Sequence, residues 1–212
     1  MRLLFLLTFS FAALFVDAQT TQKLWTESDR NFLQENLKRS RDQLLKETRN
    51  LTDTQWNFKE SPDRWSIRQV VDHIGIWELL LQREISLAYM GGPKPELTST
   101  ATPDSVNINF LKDTAQHTAT EYTKPFTYSV PMGLNLGKDN IVWFLKMRNE
   151  SIDFLAKTNE DLRVYFSRPG RSIHYVYLST YGHTDRHLQQ IAKIKRHSTY
   201  PRSKHTANRG RR

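Results

Sequence analysis

Apolar positions recur every three or four residues in four long stretches, and each such stretch predicts an amphipathic helix. The first runs from about Glu27 to Asn50, with Phe32, Leu33, Leu37, Leu44, Leu45 and Leu51 turned inward. Thr26, with Asp29 three residues on, predicts its N-cap. The second begins after Ser66 and stops at the Gly91-Gly92 pair. Val70, His73, Trp77, Leu80 and Leu81 share one stripe of it. The third spans about Asp139 to Lys157, with Ile141, Leu145, Ile152 and Leu155 inward and Arg148 projecting among them. The fourth starts near Ser172, after Pro169-Gly170, and continues to Lys195. Val176, Thr180, His183, His187, Gln190, Ile191 and Ile194 fall on its inner side, while Asp185, Gln189 and Lys193 fall elsewhere. A long polar connection from Pro93 to Lys138 separates the second and third helices, and its middle, Ser105 to Thr120, predicts an extra helix. The expected fold class is all-α: a four-helix bundle of antiparallel type with a long crossover between the second and third helices. There is no internal repeat, second domain or Gly-rich phosphate loop.

The ends of the chain have a different character. Residues 1–18 read as a secretory signal peptide: Arg2 leads an uncharged apolar run from Leu3 to Val16, and small residues precede a cleavage point after Ala18. This predicts a secreted or periplasmic protein whose body covers residues 19–196. The chain has no cysteine, which excludes thiolate nucleophiles, Cys-based zinc sites and disulfides. Any metal site must therefore use His, Asp or Glu. The net charge of +9 is concentrated at the C-terminus. Lys193, Lys195, Arg196, Arg202, Lys204, Arg209, Arg211 and Arg212 carry most of it, with no acid among them. Residues 197–212 are polar, basic and aperiodic, and predict a disordered tail suited to anionic surfaces or to solvation alone. Nothing predicts a specific nucleic-acid partner, and a homodimer is left open.

The candidate chemistry lies in the histidines. His183 and His187 are one helical turn apart, and neutral imidazoles at that spacing can grip a single divalent ion. His73, on the apolar stripe of the second helix, is the candidate third ligand. Each of the three alone also fits a hydrogen-bonded core histidine. Together they would place three costly imidazoles inward, and a shared metal gives each nitrogen a partner. Gln190, one turn beyond His187, is a candidate to orient a ligand, or a helix-flank amide. Arg148 is a candidate anchor for a substrate carboxylate, or the partner of a buried acid such as Glu84. Trp77 predicts a pocket wall. His117, His174, His197 and His205 receive no role. Asn50-Leu-Thr52 and Asn149-Glu-Ser151 match glycosylation sequons.

The run Trp65-Ser-Ile-Arg-Gln-Val-Val-Asp-His73, Arg148 in the third helix, and Arg168-Pro-Gly170 leading into His183-Thr-Asp-Arg-His187-Leu-Gln-Gln-Ile191 resemble the DinB-like (YfiT-like) four-helix-bundle superfamily. The resemblance covers about Trp25 to Arg196. It implies that His73, His183 and His187 bind a divalent metal. In that superfamily some members look like metal-dependent thiol transferases or isomerases, and others are labelled metal-dependent hydrolases. The resulting expectation is an exported enzyme that activates a bound thiol or water toward a small-molecule substrate. Zinc is the default ion, with nickel, cobalt, manganese or iron as alternatives. The rival expectation is a non-catalytic bundle that binds a metal or a partner.

Overall fold

The computed structural model of the chain describes residues 23–112, 130, 131, 133 and 135–202. The predicted signal peptide, the part of the predicted crossover helix beyond Lys112, and the predicted tail beyond Arg202 fall outside the described residues. Four long helices form the body: α1 (Glu27–Thr48), α3 (Ile67–Met90), α5 (Gly137–Lys157) and α6 (Ile173–Arg196). Short helices α2 (Asp53–Asn57) and α4 (Asp104–Lys112), a 3-10 turn (Pro95–Thr100) and a small hairpin of β1 (Phe166–Arg168) with β2 (Arg171–Ser172) fill the connections. No described helix is long and apolar enough to cross a membrane.

The helix starts follow from side-chain capping. Thr26 accepts from the Asp29 N–H while Asp29 accepts from the Thr26 N–H, a closed capping box. Ser66 and Gln69 repeat it at α3, Thr52 and Gln55 at α2, and Ser172 caps α6 by accepting from Tyr175. At the other end of α3, Gly92 turns into the left-handed region at φ 74°, which stops the helix where expected.

The first two long helices lie across the core from one another, since α1 and α3 each pack against both α5 and α6, and α4 lies against α6. Leu33, Leu37 and Leu44 of α1 are fully buried, as expected, whereas Phe32 is 41% exposed and Leu45 and Leu51 are only partly covered. On α5 the buried set is Phe144, Met147, Ile152 and Leu155, with Ile141 and Leu145 at its margin. The inward side of α5 is thus rotated by about one residue from the predicted stripe.

Arg148 occupies the centre of this core with no exposed surface. Its partner is Glu78 on α3, not Glu84, which instead meets Arg171 and Ser167. All five guanidinium hydrogens are engaged: Nε and Nη2 donate to Glu78, Nη1 to the Leu37 carbonyl and Ser40 Oγ, and Nη2 to Thr184 Oγ1 at 2.8 Å. One side chain therefore ties α5 to the three other long helices. No donor is left for a substrate carboxylate, so the anchor role considered for Arg148 gives way to the buried ion pair.

A second polar knot joins segments distant in sequence. The Arg163 guanidinium bridges Asp29 at 2.9 Å and Asp104 at 2.7 Å. His174, 1% exposed, completes it. The Trp25 indole N–H can only donate, so His174 Nδ1 accepts from it at 3.1 Å, and the ring proton on Nε2 faces Asp104 at 3.2 Å. The chain also does not leave the body at His197. Tyr200 is 8% exposed, meets Phe58 edge-on at 5.3 Å, and the Pro201 carbonyl accepts from Gln55. The predicted tail therefore begins with a docked turn, because an aromatic ring at position 200 has apolar surface to bury.

Candidate metal centre

His73 sits in the second turn of α3, and His183 and His187 lie on the face of α6 that packs against it. His183 Nε2 lies 3.3 Å from His73 Nε2 and 3.1 Å from His187 Nε2. One donor nitrogen from each of the three rings falls within a 4.8 Å cluster. His73 and His187 are buried and His183 partly so.

The tautomer is set at one ring by a neighbour. The Gln190 Oε1 carbonyl lies 2.8 Å from His187 Nδ1 and can only accept, which puts the proton on Nδ1 and a lone pair on the clustered Nε2. Burial, and after it the His187 and His73 rings, push His183 well below the ordinary imidazole value, and the charges of Arg186 and Arg148 add to this. His183 is therefore neutral at ordinary pH, the form that ligates. Trp65 packs over the His73 ring at 4.9 Å, and Trp77 meets His183 at 5.4 Å and His73 at 6.3 Å. Trp77 is thus a wall, as expected. Trp65 is a second wall that the periodicity did not single out, because it lies just outside the helix.

These donors suit a divalent ion. Two nitrogens that each bind zinc at 2.0–2.1 Å in tetrahedral geometry lie roughly 3.3–3.4 Å apart. The spacings found here are close to that edge. The other described cluster of donors, Asp29, Asp104 and His174, is of a different kind. There the Arg163 guanidinium already supplies the positive charge between the carboxylates. Among the described residues, neither a carboxylate nor a fourth imidazole joins the three histidines.

Of the sequence candidates, the fold brings together His73, His183, His187 and Gln190, and it holds Arg148 in the core. His117 and His205 lie outside the described residues, His197 lies beside Phe58 at 5.6 Å, and His174 belongs to the second knot. Arg186, which received no role, lies one turn from His183 and has its guanidinium 5.7 Å from the Phe110 ring. Its spacing of three residues was the available signal.

The architecture and the cluster together define an all-helical bundle with a three-imidazole site suited to a divalent ion. The chain matches the family profile of the DinB superfamily over residues 36–191, a stretch that takes in all three histidines, and it belongs to that superfamily. No curated protein and no solved structure matches it.

Proposed function

We propose that the chain is an exported metal-dependent enzyme of transferase or hydrolase type. Its site would hold one divalent ion on His73, His183 and His187, with zinc as default and nickel, cobalt, manganese or iron also accepted by such donors. The observation that carries this reading is the approach of three imidazole nitrogens, with spacings of 3.1 and 3.3 Å between His183 and its two neighbours. A divalent ion bound there supplies Lewis acidity toward a water or thiol, which is what both reaction types need.

The protein's own groups prepare that chemistry. Gln190 holds the His187 ring in its ligating tautomer. Trp65 and Trp77 shield His73 and His183 from water, which strengthens every electrostatic interaction nearby. The buried Arg148–Glu78 pair fixes α3 relative to α6, and with it the distance from His73 to the other two rings. The non-catalytic alternative rests on one observation: among the described residues, no carboxylate stands in the cluster to move a proton.

Elemental analysis of untagged protein is expected to find about one divalent ion per chain. Thiol-transfer or ester-hydrolysis rates should then follow occupancy. Equal rates with and without metal would leave only the binding role, and a failure to retain any divalent ion would remove both. Export is tested by sequencing the N-terminus of the mature protein, expected to begin at Gln19.

A further inference from the structure

A cavity of about 980 Å³ opens where the end of α1, the short α2, the start of α3 and the start of α5 meet. Four cations line it: Lys46, Arg49, Arg68 and Lys138. Lys46, Arg49 and Lys138 make no ion pair among the described residues. Arg68 donates to the carbonyls of Asn135 at 2.7 Å and Gly133 at 2.5 Å, which orient its guanidinium without cancelling its charge. Two acids also border the cavity, Asp42 and Asp53, and Asp42 is already paired with Arg41 at 2.8 Å. The charge balance is thus positive.

Leu51, Trp56 and Ile141 give the cavity an apolar wall, with the neutral polar Thr48, Asn50 and Asn57 also on its lining. Trp56 lies flat against the first turn of α5, at Gly137. A Cβ there would come within 2.4 Å of the indole ring, so only glycine lets the aromatic wall close on the helix. The metal centre is elsewhere. Arg68 precedes His73 by five residues, which places it roughly 140° around α3 at about 100° per residue. None of the three clustered histidines lines the cavity.

We infer that this cavity is a binding site for a small anionic amphiphile: a carboxylate or phosphate-monoester head on an apolar body of roughly ten carbons, a ligand within the usual size range of such pockets. The head lies among the four cations, where charge-assisted contacts replace its hydration. The body lies on Trp56, Leu51 and Ile141, where its apolar surface leaves water.

Calorimetric titration of the full metal-loaded chain tests this, with decanoate, decyl phosphate and uncharged decanol below their aggregation limits. One saturable site is expected for at least one anion, and whichever binds tighter assigns the head. Decanol should bind roughly tenfold weaker or less, and Lys46→Glu with Arg49→Glu should weaken the anion roughly tenfold or more. Those positions are exposed, so the helical circular dichroism should not change; Lys138→Glu supplies an independent second variant. Binding in His183→Ala should match the parent. Equal affinity for decanol, indifference to all three charge reversals, or no saturable binding overturns the inference. Loss in His183→Ala with retention in the charge-reversed protein also overturns it, by placing the anion on the metal centre, whose own metal-content test is separate.

Discussion

At the histidine cluster, the orientation of single rings decides what the site can bind. His187 presents its Nε2 lone pair because Gln190 accepts from Nδ1. Removing that acceptor by Gln190→Ala should weaken zinc affinity roughly 10–100-fold while leaving the three ligands in place. Competition against a chromophoric chelator measures this, and an unchanged affinity would show that Gln190 orients nothing. His183→Ala or His187→Ala should abolish metal retention and leave the helical circular dichroism intact, because the core around them is built from Leu, Ile, Val and aromatic residues. Arg148 is the opposite case. Burial pushes the Glu78 carboxyl above its ordinary value, and the guanidinium opposes that push. Arg148→Met strands Glu78 in the core and should cost about 3–5 kcal/mol of unfolding free energy, much of it regained on adding Glu78→Leu. Urea unfolding of the single and double variants gives the comparison.

At the scale of elements, α6 organises the molecule. It touches α1, α3 and α4, carries two of the three histidines, and its C-terminus leads into the turn that docks Tyr200. Truncation after Arg202 should therefore leave the melting temperature unchanged, while truncation after Arg196 removes a buried ring and the Gln55–Pro201 hydrogen bond. The second cut should cost about 2–3 kcal/mol by loss of aromatic burial. Equal melting temperatures for the two truncations would show that the turn contributes nothing. On the same helix, Gly182 lies against α4: a Cβ there would lie 2.4 Å from Leu111. That contact explains a glycine in mid-helix, where its backbone freedom otherwise costs stability.

For the whole molecule, the knot around Arg163 predicts how the fold responds to acid. Burial alone would raise the Asp29 and Asp104 carboxyls. Hydrogen bonds from Arg163 to both, and from His174 to Asp104, instead hold them below their ordinary value of 3.8. Glu84 is lowered in the same way by Arg171 and Ser167, from 4.5. These groups bind protons less readily in the native state than in the unfolded chain. The stability they contribute is therefore present above pH 4.5 and is lost as pH falls below 3.8. Glu78 acts in the opposite sense, since its raised carboxyl favours the native state when protonated. Arg163→Gln should lower the melting temperature at pH 7 and flatten its fall below pH 4. An unchanged acid slope would show that the Arg163 contacts do not set these carboxyls.

The four long helices, their capping residues, the Gly91-Gly92 stop and the three histidines are legible in the sequence because they depend on local rules. A cap needs a side chain three residues away, and a ligating pair on a helix needs a spacing of four. The identity of partners across the core is not local. Glu84 falls on the stripe of His73, yet Glu78 receives Arg148, because α3 is packed between α5 and α6 and so is buried on two faces. A single-stripe reading sees only one of them. His174 likewise has no signal of its own, since its hydrogen-bond partners Trp25 and Asp104 come from two other segments. Residues 197–212 predict a disordered tail because one aromatic residue makes no period, although one ring is enough to dock a turn. Sequence alone thus determined the helices and the histidines they carry. Only the tertiary structure decided which buried charges meet, because that choice depends on how the helices are rotated against one another.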